Sequence, residues 1–313
     1  MMSIDTAVDA FGLSLRPSFR LPGLRTSHYL SRLPISVELA SAEEVADAWS
    51  GADRPAIWTT TIGRRRFEML HGAAGDHLFR WAGAADFHLD GIRDRLMCAP
   101  RHPAGYGWRR VLLDSVLFSI GLLSGYEAIH AAAVTIDGVG VLALAGFAGA
   151  GKTTLLAEFL RRGHRFHTDD VLVLEPGEEQ PLAHPGPAVV NLPDSMEVGE
   201  LGTAIARFEA EVWCELHEFA GVAVPLRAVC LIERNHVGDT EIEPCSQDLL
   251  SVLPHTLGVR GTPAGTPDRF TFYCDLVRQV PVFRLRAGLA APAPELADAV
   301  QTAVQQASME VVR

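Results

Sequence analysis

Apolar and polar positions along the chain fall into two regimes. Up to about residue 110 the pattern is irregular and rich in turns, with alternating runs over 56–61 and 77–81 that predict strands. One helical stretch, 42–49, interrupts them. We read residues 1–110 as a β-rich accessory or substrate-presenting module without evident chemistry, although it holds Trp49, Trp58, Trp81 and Trp108. Residues 108–123 have helical spacing, and Gly125 ends them. Beyond that point strands and helices alternate, which predicts an α/β domain over 111–313.

The first elements of that domain are a hairpin and a helix. An apolar run over 131–136 turns at Asp137-Gly138 and returns as a buried strand over 139–145. A helix follows over 152–162, with Leu155, Leu156, Phe159 and Leu160 at helical spacing and Gly163 as its stop. Further strands are expected at 171–174, 188–191, 226–233, 240–243 and 282–286. A helix capped by Ser246 should turn Leu249, Leu250 and Leu253 inward, and another should follow Asp268. Pro294 opens a last helix with Leu296, Val300 and Val304 on one stripe. Residues 255–268 contain three glycines and two prolines and read as a mobile loop. There are no internal repeats.

Between the hairpin and the helix stands Gly146-Phe147-Ala148-Gly149-Ala150-Gly151-Lys152-Thr153, a full match to the phosphate-binding P-loop pattern in its required strand–loop–helix setting. Glycines let backbone N–H groups turn inward around phosphate oxygens, and the helix N-terminus adds partial positive charge. Lys152 would reach the β- and γ-phosphates and Thr153 would place its hydroxyl on Mg²⁺, while Thr154 starts the helix at the edge of the nucleotide contacts. Of 27 lysines and arginines, Lys152 is the only lysine. The position demands a compact ammonium that a planar guanidinium cannot replace. These residues imply a nucleoside triphosphate with Mg²⁺.

Composition then narrows the setting. A net charge of −11, with no basic stripe, argues against a nucleic-acid surface. Arg64-Arg65-Arg66 is the one basic run and reads as a solvated strand or turn. Five widely spaced cysteines without a CxxC pair read as reduced thiols. The N-terminus has no signal-peptide core, and no apolar run reaches membrane-spanning length. A soluble cytoplasmic protein is expected.

Phosphoryl transfer needs carboxylates as well as a phosphate cradle. Asp169-Asp170, at the head of the apolar run 171–174, is the favoured pair. Adjacent residues entering a strand point to opposite faces, so one acid could serve the metal while the other faces an incoming hydroxyl. Glu233, closing the apolar strand 229–233, is the competing candidate. His130 heads the strand that pairs with the P-loop strand, where it could donate to phosphate or move a proton.

The stretch Ile129-His130-Ala131-Ala132-Ala133-Val134, the loop Gly146–Thr153 and the segment Arg161-Arg162-Gly163-His164 to Asp169-Asp170-Val171 together resemble the catalytic domain of the HPr kinase/phosphorylase family. The segments 243–250 and 281–286 are similar to HPr-kinase-like proteins found beside ribosomal-peptide gene clusters, including lasso-peptide precursor kinases. The resemblance implies a core like that of phosphoenolpyruvate carboxykinase, ATP and Mg²⁺ as cofactors, and a serine of a peptide or small protein as acceptor. It implies Asp169 as base, Asp170 and Thr153 at the metal, Lys152 at the phosphates and His130 in the active site; homo-oligomers occur among such proteins. Ala148 stands where the family loop usually has Ser, and the family's signature segment, with Glu197 as a potential metal ligand, is only echoed by 196–202. A small-molecule hydroxyl kinase and a nucleotide-gated ATPase or binding switch are the rival readings.

Overall fold

The computed structural model describes residues 7–26, 34–51, 55–194, 196, 199, 201–208, 210–234, 236, 238–245, 247–258 and 266–311, with 266, 267 and 308–311 by backbone alone. It is a mixed α/β protein. The chain divides into two compact units, one running to Leu123 and the other starting at Ser124. The helix expected to open the second domain therefore groups with the first unit, and the boundary falls after residue 123 rather than after 110. Contacts of this helix with the first unit account for the shift: Trp108 packs on Phe19 with ring centroids 5.3 Å apart, and Arg93 donates to the Leu123 carbonyl. Its middle, Leu112–Val116, widens to π-helical pitch.

In the first unit the irregular pattern resolves into one nine-stranded sheet. Its order is Arg25–Thr26, Val8–Ala10, Leu13–Pro17, Ile35–Leu39, Arg95–Pro100, Ala85–Leu89, His77–Trp81, Arg65–His71 and Ala56–Ile62. The helix Ala42–Ala48 is fixed by a capping box, in which Ser41 and Glu44 satisfy each other's backbone N–H groups. Val45 buries against Leu70, Leu78, Met97 and Ala99.

The second unit is built on a ten-stranded sheet whose path runs Arg165–Thr168, Ala131–Ile136, Gly140–Ala145, Val224–Glu233, Leu182–His184, Leu172–Glu175, Glu127–Ile129 and Thr256–Leu257. Val282–Arg286 joins Val224–Glu233 in parallel, and Glu241–Pro244 pairs with it. The hairpin forms as expected, but Ile136 pairs with Gly140, so Asp137, Gly138 and Val139 make a three-residue turn. Alternation sorts the central strands onto two faces. Ala132, Val134, Leu142 and Leu144 share one core with Leu155, Leu156 and Phe159 of the helix Lys152–Arg161, and with Leu296, Val300 and Val304 of the helix Ala293–Val311. Ala131, Ala133, Val141 and Ala143 share the other with Tyr273, Leu276 and Val277 of the helix Thr266–Gln279. A separate three-stranded sheet, Val189–Pro193, Glu211–Leu216 and Gly202–Phe208, packs Val190, Leu192, Val212, Cys214 and Leu216 into the first of these cores.

The helix Leu249–Val252 differs from expectation. Asp248 caps it, accepting from the Ser251 N–H, and Leu250 points outward at 78% exposure. Leu249 and Leu253 pack beside Val252 as expected, whereas Leu250, one residue past Leu249, is turned about 100° away from that face. Ser246 and Glu197 lie outside the described residues. Among the described residues no helix is long and apolar enough to cross a membrane, and all five cysteines are free thiols.

Candidate active site

The strand Gly140–Ala145 delivers the chain to the glycine-rich loop and the helix Lys152–Arg161 carries it away. Gly146 allows a close approach: a Cβ there would stand 3.0 Å from both the Ile232 carbonyl oxygen and the Ala150 Cβ. Gly151 sits at φ 89° and opens the helix without a side-chain cap. Only glycine reaches that backbone region at no cost, and the first helical N–H groups are left without a side-chain acceptor. Phe147, Ala148 and Gly149 are exposed above them, Ala150 is buried, and Thr154 is exposed. Such an end binds anions through N–H groups and the helix dipole.

Lys152 turns back over this loop. It is 7% exposed, and its Nζ donates to the Gly146 carbonyl at 2.9 Å, to the Phe147 carbonyl at 3.4 Å and to His130 Nε2 at 3.0 Å. Burial pushes its pKa down, against the pull of Asp170 and then Asp169.

His130 occupies the break between the strands Glu127–Ile129 and Ala131–Ile136. Its backbone N–H donates to the His255 carbonyl at 2.6 Å. The ring lies 2.9 Å through Nδ1 from the Asp170 carbonyl. A carbonyl only accepts, so Nδ1 carries the proton and Nε2 offers its lone pair to Lys152. Burial, followed by the Lys152 charge, lowers the His130 pKa, with Asp170 opposing. The imidazole is neutral and held at both nitrogens.

Asp169 and Asp170 stand in the tight turn between Arg165–Thr168 and Leu172–Glu175, not on a strand. Strand alternation therefore does not separate them; the turn does. Asp170 takes φ 61°, a left-handed conformation that aspartate tolerates better than most residues. The Val171 N–H donates to the Asp169 carbonyl at 2.7 Å, and Thr168 Oγ1 donates to the Val171 carbonyl at 2.6 Å. Asp169 Oδ1 faces Thr153 Oγ1 at 3.4 Å, and its Oδ2 accepts from the Asn191 N–H at 3.2 Å. The hydroxyl expected beside Asp170 at a metal thus meets Asp169. Glu233 is committed elsewhere, to Arg284 at 3.2 Å and Arg286 at 3.5 Å.

Lys152, His130, Thr153, Asp169 and Asp170 are therefore brought together. His255 joins them without any sequence signal beyond its place at the head of a glycine-proline segment. It is buried, with its ring 5.0 Å from that of Phe147. Burial, then the charges of His130 and Lys152, lowers its pKa. Among the described residues no group of three or more His, Cys, Asp or Glu side chains could hold a metal. One hydroxyl and two carboxylates are hard oxygen donors, however, and they fit a Mg²⁺ that takes its other ligands from phosphate and water.

No family model matches the chain. Among curated proteins it is similar to the HPr kinase/phosphorylase of Levilactobacillus brevis, 35% identical over 82 residues, 26% of each chain. The enzyme of the same name from Limosilactobacillus reuteri is 32% identical over 93 residues, 30% of this chain and 28% of that one. The chain thus spans only about a quarter of the length of the relatives it matches. A solved Hpr(Ser) kinase/phosphatase from Coxiella burnetii aligns with 59% of this chain and 99% of its own at 14% identity, but the TM-score of 0.33 carries no argument. Over 26 to 30% of its length, this chain is HPr kinase/phosphorylase-like in sequence.

Proposed function

We propose that the protein is an ATP-dependent kinase, with the HPr kinase type of P-loop core, that transfers the γ-phosphate to a seryl hydroxyl of a peptide or small protein. One observation carries this reading: a buried lysine, a neutral histidine and an aspartate pair converge on a glycine loop at a helix N-terminus. The loop N–H groups and Lys152 hold the β- and γ-phosphates. On binding, the Lys152 ammonium exchanges its two carbonyl partners and His130 for phosphate oxygens. His130 Nε2 is then free to take a proton and become a second donor.

Asp169 accepts the seryl proton as the oxygen–phosphorus bond develops, because an alcohol is too weak an acid to ionise beforehand. The Asn191 N–H steadies its carboxylate for that role. Thr153 and Asp170 are the proposed Mg²⁺ ligands, although Thr153 lies within reach of Asp169. Mg²⁺ would supply charge neutralisation at the transferring phosphoryl group. We assign the β-rich first unit to presenting the acceptor, and the reaction to the cytoplasm, a setting that suits five free thiols. That HPr kinase/phosphorylases are the relatives found favours a protein acceptor over a metabolite.

The test is phosphoryl transfer from γ-labelled ATP to serine-containing peptides, read by mass spectrometry. Wild type should form phosphopeptide and Lys152→Ala should lose both nucleotide binding and turnover. Asp169→Asn should lose on the order of 10²–10⁴ in rate while keeping nucleotide affinity. Equal ADP release by wild type and Asp169→Asn, with no phosphopeptide, would replace the kinase by a nucleotide switch. If Asp169→Asn instead loses Mg²⁺ dependence and Asp170→Asn loses only transfer, the two roles are exchanged.

A further inference from the structure

The aspartate–lysine cluster is short of positive charge for a triphosphate. It sets one ammonium against two carboxylates, and burial already disfavours the charge on Lys152. A second cation stands beside the C-terminal end of the loop. Arg234 directly follows the strand Val224–Glu233, whose Ile232 carbonyl is the backbone group that Gly146 approaches. Its Nη2 is tied down by two carbonyls, Leu289 at 2.7 Å and Ala291 at 3.1 Å. Its Nε is buried with no hydrogen-bond partner. Its Nη1 reaches to 4.0 Å from where a Cβ on Gly151 would stand.

A guanidinium held on one edge by carbonyls, with a buried N–H left unmatched and its free corner at a helix N-terminus, is arranged for an anion rather than for the fold alone. The N–H groups of such a loop cradle α- and β-phosphates, whereas the lysine serves β and γ. Lys152 Nζ lies at the Gly146–Phe147 end, beside His130, whereas Arg234 Nη1 lies at the Gly151 end, where the helix N-terminus begins. The geometry points to Arg234 as a phosphate-binding residue that contacts the α/β-phosphates of the nucleotide, an inference that rests on the loop being a nucleotide site. During transfer Arg234 also faces the β-phosphate on which charge grows as the γ-phosphoryl group departs, and the guanidinium remains protonated throughout.

The test is titration calorimetry of the full chain with Mg²⁺-ADP and Mg²⁺-ATP, comparing wild type, Lys152→Ala, Arg234→Lys and Arg234→Gln, each at two salt concentrations. Affinity should be graded Arg, Lys, Gln, with Arg234→Gln at least ~10-fold weaker for both nucleotides. The salt dependence of ADP binding should flatten in the Gln variant and persist in the Lys variant, because only the Gln variant lacks the charge. Equal losses in the Lys and Gln variants would make Arg234 a mere tie for the 289–291 segment and overturn the inference, as would no loss in either. A wild type that binds no ADP sinks the loop reading and this inference together. ADP binding lost in Lys152→Ala but untouched in Arg234→Gln sinks the inference alone.

Discussion

At the scale of the residue, the site is a chain of donors and acceptors with one adjustable member. Lys152 donates to His130 Nε2, and the His130 Nδ1–H donates to the Asp170 carbonyl. The histidine stays neutral because it is buried beside a cation. On the proposed nucleotide reading, an incoming polyphosphate would draw Lys152 away and favour imidazolium. Nucleotide binding just below neutral pH should therefore take up a proton, measurable as a dependence of the binding enthalpy on the buffer's ionisation heat. His130→Gln should remove most of that uptake, and an unchanged uptake would move its source to His255. The sequence showed Lys152, His130 and the aspartates as candidates because their types are tied to a spaced pattern. It could not show His255 or Arg234, which reach the loop from strand and turn ends far along the chain.

The elements explain why the loop holds its form. The helix Lys152–Arg161 is clamped at its far end by Arg162, whose Nη1 meets Asp298 at 2.7 Å, whose Nη2 meets the Pro294 carbonyl at 2.7 Å and whose Nε meets Glu158 at 3.0 Å. The helix Ala293–Val311 answers with Leu296, Val300 and Val304 buried in the same core. Truncating Leu296 to Ala should cost about 2–5 kcal/mol of stability. Chemical denaturation of the two proteins measures it, and a loss near zero would mean the stripe is not packed. The stripe was legible from its spacing, as was the hairpin. The turn holding Asp169 and Asp170 was not, because the apolar run after it looks the same whether the acids open the strand or precede it. Its left-handed residue is an aspartate, with no glycine to announce it.

For the whole molecule, buried histidines in both units set the acid limit. His77 is lowered to about 4, first by burial and then by His71. His167 is lowered to about 3, by burial above all. His130 and His255 are shifted the same way. An unfolded histidine takes its proton near pH 6.5 while these resist it, so the unfolded state binds more protons in the interval. Stability should be level above pH 6.5 and fall progressively down to about pH 3, the His77 share ending near pH 4. Melting temperatures across that range check this, and His167→Gln, if it folds, should flatten the slope. A melting temperature independent of pH there would mean that these rings are not neutral in the folded protein.

What the sequence determined by itself is local: the alternation that makes Ala131–Ile136 and Gly140–Ala145 strands, the stop at Gly163, and a glycine loop that matches the phosphate-binding pattern. Those features depend on neighbours a few residues apart, so a linear pattern records them. The tertiary structure alone decided the nine-strand pairing of the first unit, the outward turn of Leu250 and the meeting of Thr153 with Asp169. It alone also brought Arg234 to the loop. Each of these rests on contacts between distant segments, fixed by which apolar faces share a core, and periodicity says only that such faces exist.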